Sequence, residues 1–153
     1  MKITDTFITA ADDSDAAMGR VPPARDGDRT IARLHYDLLI EHPYEFDLDS
    51  FNFEVYCLKN HIAPAHRDAH RTEFFAKGHP CMRGSPLTKT YGFGAHYDGA
   101  GRIAIYPLDS RAYAKFVADP DIKKEPAMRS RRPSGETAGP NPGAGQESVK
   151  PAA

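Results

Sequence analysis

Two short alternating segments restrict the possible folds of this chain more than any other feature. Residues 91–97 and residues 102–106 each alternate large side chains with small or polar ones, which is typical of β-strands. The four residues between them read Asp-Gly-Ala-Gly, and an Asp-Gly step in so short a connection is a strong hairpin signal. Because two strands joined so closely pair antiparallel, the sequence predicts a sheet built around this hairpin.

The remaining predicted elements lie on both sides of the hairpin. The clearest strand pattern falls in residues 51–58, where Phe51, Phe53 and Val55 stand at every second position. In chain order, we predict strands at residues 2–10, 51–58 and 81–85, followed by the two hairpin strands, with helices at residues 30–42, 64–76 and 110–117. The order β-α-β-α-β-β-β-α predicts an α+β fold with a small, mostly antiparallel sheet and its helices on one side.

A change in composition at Asp119 predicts the end of the folded domain. The last 35 residues contain six prolines and four glycines, and their only large aliphatic side chains are Ile122 and Val149. Such a segment cannot bury enough apolar surface to offset the entropy of ordering it. We therefore predict one domain at residues 1–118 and a disordered, Pro/Gly-rich tail at residues 119–153.

Charge, hydropathy and cysteine content narrow the classes of partner and location. The net charge is -1, so the basic surplus that is typical of nucleic-acid binders is missing, and we do not expect a nucleic-acid partner. No apolar run approaches the length of about 18 to 20 residues that spans a membrane, and the N-terminus does not resemble a signal peptide. With only Cys57 and Cys81 present, we expect reduced thiols and a cytoplasmic location.

Residues 81–97 carry the most unusual set of side chains. Gly84, Gly92 and Gly94 fall inside predicted strands, where glycine often marks the close approach of backbone or ligand. Arginine and aromatic side chains in the same segment can stack on, and hydrogen-bond to, a planar or anionic ligand. The residues that we expect to bind a ligand are Arg83, Ser85, Lys89 and Tyr91.

The predicted register decides which side chains share a face of the sheet. Pairing Tyr97 with Arg102 places both of them, together with Tyr106, on a polar face beside the expected ligand-binding residues. The opposite face then carries His96 beside Ile103 and packs against the helices. A slip of one residue would exchange the two sets.

Three classes of function stay open. The first is a non-catalytic domain that uses the 81–97 hairpin to bind a small anionic or planar ligand, or a protein partner. The second is a small hydrolase or transferase that uses the Cys81 thiol with His79 or His96. The third is a symmetric oligomer such as a homodimer, with a structural role and with the aromatic sheet face buried in its interface. The sequence does not decide whether the protein is an enzyme.

The sequence offers one weak arrangement of metal ligands and no cofactor motif. His66 and His70 lie four residues apart on the second predicted helix, a spacing that can bind zinc. However, Arg67 follows the first histidine, where the metalloprotease motif has a glutamate, and further ligands would have to come from elsewhere, such as His61 or His79. No glycine-rich phosphate-binding motif is present. We therefore expect neither a bound metal nor a cofactor.

Several longer stretches together point to a family. They read MKITDTFI at residues 1–8, VPP at 21–23, FFAK at 74–77, CMRGSPL at 81–87 and YGFG at 91–94, with Lys89 and His96 also matching. With these stretches the chain resembles a family of small, uncharacterised, mainly bacterial proteins that share a domain of unknown function. The resemblance implies a compact standalone domain and brings no known activity, substrate or cofactor. The positions that match the family include Cys81, Arg83, Ser85, Lys89, Tyr91 and His96.

Overall fold

The computed structural model describes residues 2–24 and 27–129 of the 153-residue chain. This part of the chain forms five α-helices, two short 3-10 helices and four β-strands. The α-helices are α1 (Ile31–Glu41), α2 (Leu48–Lys59), α3 (Arg67–Phe75), α4 (Pro86–Lys89) and α5 (Arg111–Ala118), and the 3-10 helices are Pro64–His66 and Met82–Gly84. The strands are β1 (Thr6–Thr9), β2 (Phe93–Tyr97), β3 (Ile103–Pro107) and β4 (Lys123–Pro126).

The four strands form one mixed sheet in the order β3-β2-β1-β4. Strand β2 pairs antiparallel with both β1 and β3, whereas β4 pairs parallel with β1. The predicted α+β class and the predicted hairpin are therefore confirmed. Strand β1 and helices α1, α3 and α5 also overlap the segments in which they were predicted.

Helices cover both faces of the sheet. On one face, α1 packs on β3 and α4 packs on β2, over a main core that includes Ile8 and Ile103. On the other face, the ring of Phe7 lies 5.0 Å from the rings of both Tyr113 and Phe116 of α5. The prediction that the helices lie on one side is therefore wrong, because the second face has an apolar row of its own that α5 covers.

The segment predicted as a strand at residues 51–58 is the helix α2. Phe51 and Val55 are four residues apart and lie in the main core. Phe53 and Cys57 have the same spacing and pack against Phe74 of α3 in a second cluster. Two buried stripes on one helix therefore produce burial at every second residue, and the strand prediction is wrong for this reason.

Residues 81–85, also predicted as a strand, contain the 3-10 helix Met82–Gly84, which leads into α4. Ser85 is the N-cap of α4, since its hydroxyl oxygen accepts a hydrogen bond of 3.2 Å from the backbone N–H of Leu87. Pro86 occupies the first position of the helix, where proline is favoured. Arg83 and Ser85 consequently belong to a helical turn, and the prediction that they lie on a sheet face is wrong.

The β2–β3 hairpin forms with a register one residue away from the predicted one. Tyr97 pairs with Ile103, because Asp98 closes the loop against Arg102 through a backbone hydrogen bond of 2.9 Å. The carboxylate of Asp98 also accepts a hydrogen bond of 2.9 Å from the N–H of Arg102. The slip places Tyr97 in the core and turns His96 toward α5, so the predicted assignment of faces is wrong.

Strand β4 extends the domain beyond its predicted end. The backbone N–H of Lys123 donates to the carbonyl of Asp5, and that of Ala127 donates to the carbonyl of Thr9. Ala127 is buried. The boundary predicted after residue 118 therefore lies too early, because the neighbouring strand supplies the hydrogen bonds and the burial that this polar segment lacks by itself. The rest of the predicted tail, residues 130–153, lies outside the described residues.

No helix in the described ranges is long and apolar enough to cross a membrane. The longest of them, α2, has 12 residues, whereas a spanning helix needs about 20.

Candidate functional site

A cleft between the helices of the first sheet face is the best-formed candidate site. It has a volume of about 290 Å³ and opens between α1, α2, α3 and the segment that leads into α4. A cleft of this size that is mostly apolar, with a few polar groups, is the usual form of a small-molecule site. The side chains and glycine that line it are Ile31, His35, Asn52, Val55, Tyr56, Phe74, His79, Pro80, Cys81, Gly84, Ser85 and Pro86.

A hydrogen-bonded pair of side chains lies in this cleft. The Nδ1 atom of His35 on α1 is 2.8 Å from the hydroxyl oxygen of Ser85. Ser85 is 2 % exposed, and its oxygen also accepts the capping hydrogen bond from Leu87. The capping bond fixes the hydroxyl in place. Ser85 therefore presents a preformed polar group to the cleft, paired with His35.

Burial determines the charge of His35. Desolvation lowers its pKa from 6.5 to about 4, so the imidazole is neutral at neutral pH. Its ring also makes an edge contact with Phe51, with the ring centroids 4.8 Å apart. A general base works best when its pKa lies near the working pH. This pair therefore suits hydrogen bonding to a ligand better than proton abstraction.

His79 and Cys81 lie in the wall of the same cleft. The Nε2 atom of His79 is 2.7 Å from the backbone carbonyl of Phe74, and a carbonyl can only accept a hydrogen bond. Neutral His79 therefore carries its proton on Nε2 and has an unprotonated Nδ1. The imidazole also stacks on the ring of Phe74, with a centroid distance of 3.8 Å and an angle of 12° between the planes.

The four residues that were expected to bind one ligand make different contacts in the structure. Of these, Ser85 alone lines the cleft. The Nε atom of Arg83 donates to the carbonyl of Pro126 at 2.7 Å, which ties the turn to β4. The guanidinium carbon of Arg20 lies 5.8 Å from the centroid of the Tyr91 ring. Lys89 is the last residue of α4. The expected ligand-binding residues therefore do not all line the cleft.

His96 lies on the opposite side of the sheet from Cys81. Its ring stacks on Phe116 of α5 at a centroid distance of 4.2 Å, and its Nδ1 is 2.8 Å from the hydroxyl of Tyr44. That hydroxyl is also 2.8 Å from the hydroxyl of Tyr106. Desolvation lowers the pKa of His96, which favours the neutral ring in this aromatic setting. The structure therefore does not bring His96 to Cys81.

The sequence interpretation missed His35, Asn52 and Tyr56 as site residues. One signal could have identified His35. It lies four residues after Ile31 and four residues before Leu39, within the apolar stripe of α1. A polar side chain inside such a stripe needs a buried hydrogen-bonding partner. No comparable signal marks Asn52 or Tyr56, which lie on a segment that was predicted as a strand.

No metal site forms in the described part of the chain. None of its histidine, cysteine, aspartate and glutamate side chains form a group of three or more that could hold a metal ion. His66 and His70 belong to different elements, since the first lies in the 3-10 helix before α3 and the second lies in α3 itself. His66 and His70, which the sequence suggested as zinc ligands, therefore do not belong to a group of three ligands among the described residues.

Together, the fold and the cleft define a small α+β domain whose candidate site lies between its helices. The chain belongs to DUF6157, a family of unknown function, whose model matches residues 1–133. This result confirms the family resemblance seen in the sequence. The matched region also extends past residue 118, in agreement with the position of β4. Neither a curated protein nor a solved structure matches the chain.

Proposed function

We propose that this protein is a non-catalytic binding domain whose helical cleft holds a small, planar and largely apolar ligand. The observation that carries the proposal is the cleft of about 290 Å³ with the hydrogen-bonded pair of His35 and Ser85 in it. The ligand would carry at least one hydrogen-bonding group, because the Nε2 atom of His35 is a further hydrogen-bonding group beside the contact of Nδ1 with Ser85.

The side chains around the cleft favour a planar ligand over an anionic one. Tyr56 and the stacked rings of Phe74 and His79 offer aromatic surface, and aromatic rings stack on planar groups. Among the described residues no lysine or arginine lines the cleft, so a carboxylate or phosphate would lose its hydration without gaining a cation from them. Of the two ligand classes expected from the sequence, the planar one suits this cleft.

The proposal predicts that the cleft mouth controls binding of an apolar probe. Ile31 lines the mouth and is 38 % exposed, while Ile40 on the same helix is 45 % exposed and does not line the cleft. We expect Ile31→Gln to weaken binding of the neutral fluorescent probe N-phenyl-1-naphthylamine about fivefold, because one apolar contact is lost. The measurement is a fluorescence titration at neutral pH.

The matched control for this titration is Ile40→Gln, which makes the same chemical change outside the cleft. It should bind the probe as the unaltered protein does. Equal affinities of the two variants, or no saturable binding to the unaltered protein, would exclude the cleft as the binding site. Circular dichroism of both variants checks that α1 stays folded.

We propose catalysis by Cys81 as a second candidate, because Cys81 and His79 line the same cleft and the Nδ1 atom of His79 is not used in the contact of Nε2 with Phe74. In a hydrolase or transferase of this kind, His79 would accept the thiol proton and the thiolate would attack the substrate. Alkylation by iodoacetamide tests this pairing, since Cys57 is buried and Cys81 is partly exposed. If His79→Gln leaves the pH profile of alkylation unchanged, His79 does not activate the thiol.

A symmetric oligomer stays a prediction, although its expected surface is not available in the protomer. Tyr97 is buried in the core, and Tyr106 packs against Phe116 of α5. The aromatic sheet face is therefore divided between two covered surfaces. Sedimentation equilibrium would give the number of chains directly.

The free thiols of Cys57 and Cys81 support the proposal of a cytoplasmic location.

A further inference from the structure

A second cavity lies at the β4 end of the sheet. It has a volume of about 530 Å³ and is distinct in chemistry from the apolar cleft. Thr6 pairs with Lys123 and with Tyr97, and Ile8 pairs with Glu125, so these side chains share the face that the helices cover elsewhere. The residues that line this groove are Lys2, Ile3, Thr4, Thr6, Ile8, Cys81, Arg83, Lys123 and Glu125.

Three cationic side chains from separate parts of the chain line this groove. Lys2 precedes β1, Arg83 belongs to the 3-10 helix before α4, and Lys123 begins β4. Among the described residues that line the groove, Glu125 is the one carboxylate, at 2.9 Å from Lys123 and 3.9 Å from Arg83, while Lys2 also interacts with Asp47 outside the groove. The described side chains of the groove therefore carry a surplus of positive charge, although the whole chain has a net charge of -1.

Arg83 is held in an orientation that suits anion binding. Its Nε atom donates to the carbonyl of Pro126, and its own backbone carbonyl accepts a hydrogen bond of 2.8 Å from Met128. These contacts fix the base of the guanidinium group. Arginine nitrogens in a fixed fork match the paired oxygens of carboxylate and phosphate groups.

We propose that this groove is a binding site for a small molecule that carries multivalent oxyanion groups, either phosphates or several carboxylates. Lys2, Arg83 and Lys123 would supply the positive charge, and Thr4 lines the same groove, whereas the hydroxyl of Thr6 donates to the backbone carbonyl of Thr4. The carboxylate of Glu125 already pairs with two of these cations, Arg83 and Lys123. A multivalent anion competes with this carboxylate better than a single chloride does, because it contacts several cations at once. The site goes beyond the apolar cleft and does not depend on it.

The test compares two lysine variants that change the net charge equally. Lys123→Gln removes a cation of the groove, and Lys115→Gln removes an exposed cation from α5, on the other side of the sheet. Isothermal titration calorimetry with pyrophosphate and with succinate, each at an ionic strength matched with sodium chloride, measures binding. We expect Lys123→Gln to weaken binding about threefold to fivefold and Lys115→Gln to leave it unchanged.

The carboxylate variant should act in the opposite direction. Glu125→Gln removes the competing negative charge, so we expect about threefold tighter binding of the same anions. Glu41→Gln, at the exposed end of α1, is its control and should have no effect. Preference for pyrophosphate over succinate, or the reverse, identifies the oxyanion group.

Two results would overturn the site. One is the absence of saturable binding of either anion, and the other is an equal effect of Lys123→Gln and Lys115→Gln. The variant Ile31→Gln shows that the two proposed sites are tested independently. It should bind both anions as the unaltered protein does, although it binds the apolar probe weakly.

Discussion

The chemistry of single residues is clearest at His35, which is half-buried and neutral. Its pKa is lowered from 6.5 to about 4, so between these values the unfolded chain binds a proton that the folded chain does not. Stability therefore rises with pH in this window and is lost as the pH falls from 6.5 toward 4. At pH 5 the expected loss of unfolding free energy is about 2 kcal/mol relative to pH 7.5.

Urea unfolding between pH 5 and pH 7.5 measures this loss, and His35→Gln should make the dependence on pH shallower. His96 also has a lowered pKa and contributes to the slope in every variant. If His35→Gln and the unaltered protein show parallel curves, His35 is not buried in the neutral form.

At the scale of elements, the helix prediction succeeded at α1, which buries one apolar stripe, and failed at α2, which buries two. The stripe of α1 contacts a single core, and its helix was predicted from Ile31, Leu34 and Leu38. Helix α2 lies between the main core and α3, so its two stripes together imitate a strand. Periodicity alone cannot separate these cases, because it records burial and not the backbone.

A local signal for α2 was present in the sequence. Asp47 and Ser50 form a capping box, in which the carboxylate of Asp47 accepts from the N–H of Ser50 at 2.9 Å and the Ser50 hydroxyl accepts from the N–H of Asp47 at 3.1 Å. Ser85 followed by Pro86 is the equivalent signal for α4. The candidate site could be predicted only in part, because the contact of His35 with Ser85 joins residues that are 50 positions apart.

The packing of α5 against the sheet depends on the absence of a side chain at Gly94. A Cβ atom at this position would overlap the ring of Phe7 and lie 2.7 Å from the Cε2 atom of Tyr113. We therefore expect Gly94→Ala to lower the free energy of unfolding by about 1 to 3 kcal/mol, through overpacking. Chemical denaturation followed by circular dichroism measures the change.

Gly78→Ala is the control for this substitution, since no atom lies within 4 Å of a Cβ added there. Its free energy of unfolding should stay within about 0.5 kcal/mol of the original value. Equal stability of the two variants would mean that α5 does not pack closely on Gly94 in solution.

At the scale of the whole molecule, β4 joins the end of the domain to its beginning and to the turn before α4. Besides the parallel ladder between β4 and β1, two backbone hydrogen bonds connect residues 123–127 to β1 and its preceding loop, and two more contacts connect Pro126 and Met128 to Arg83. A chain that ends after residue 118 loses all four. At about 1 kcal/mol for each, the loss is about 4 kcal/mol, a large part of the stability of a small domain.

A comparison of chains ending at residues 133 and 118 tests this role of β4. The longer chain keeps the whole region matched by the family model and every contact described here, so we expect it to unfold at the denaturant concentration of the full-length protein. The shorter chain also uncovers the edge of β1 and loses the buried Ala127, and it should unfold at a clearly lower concentration. Equal midpoints for the two chains would instead restore the domain boundary at residue 118, because β4 would then add nothing to the stability of the fold.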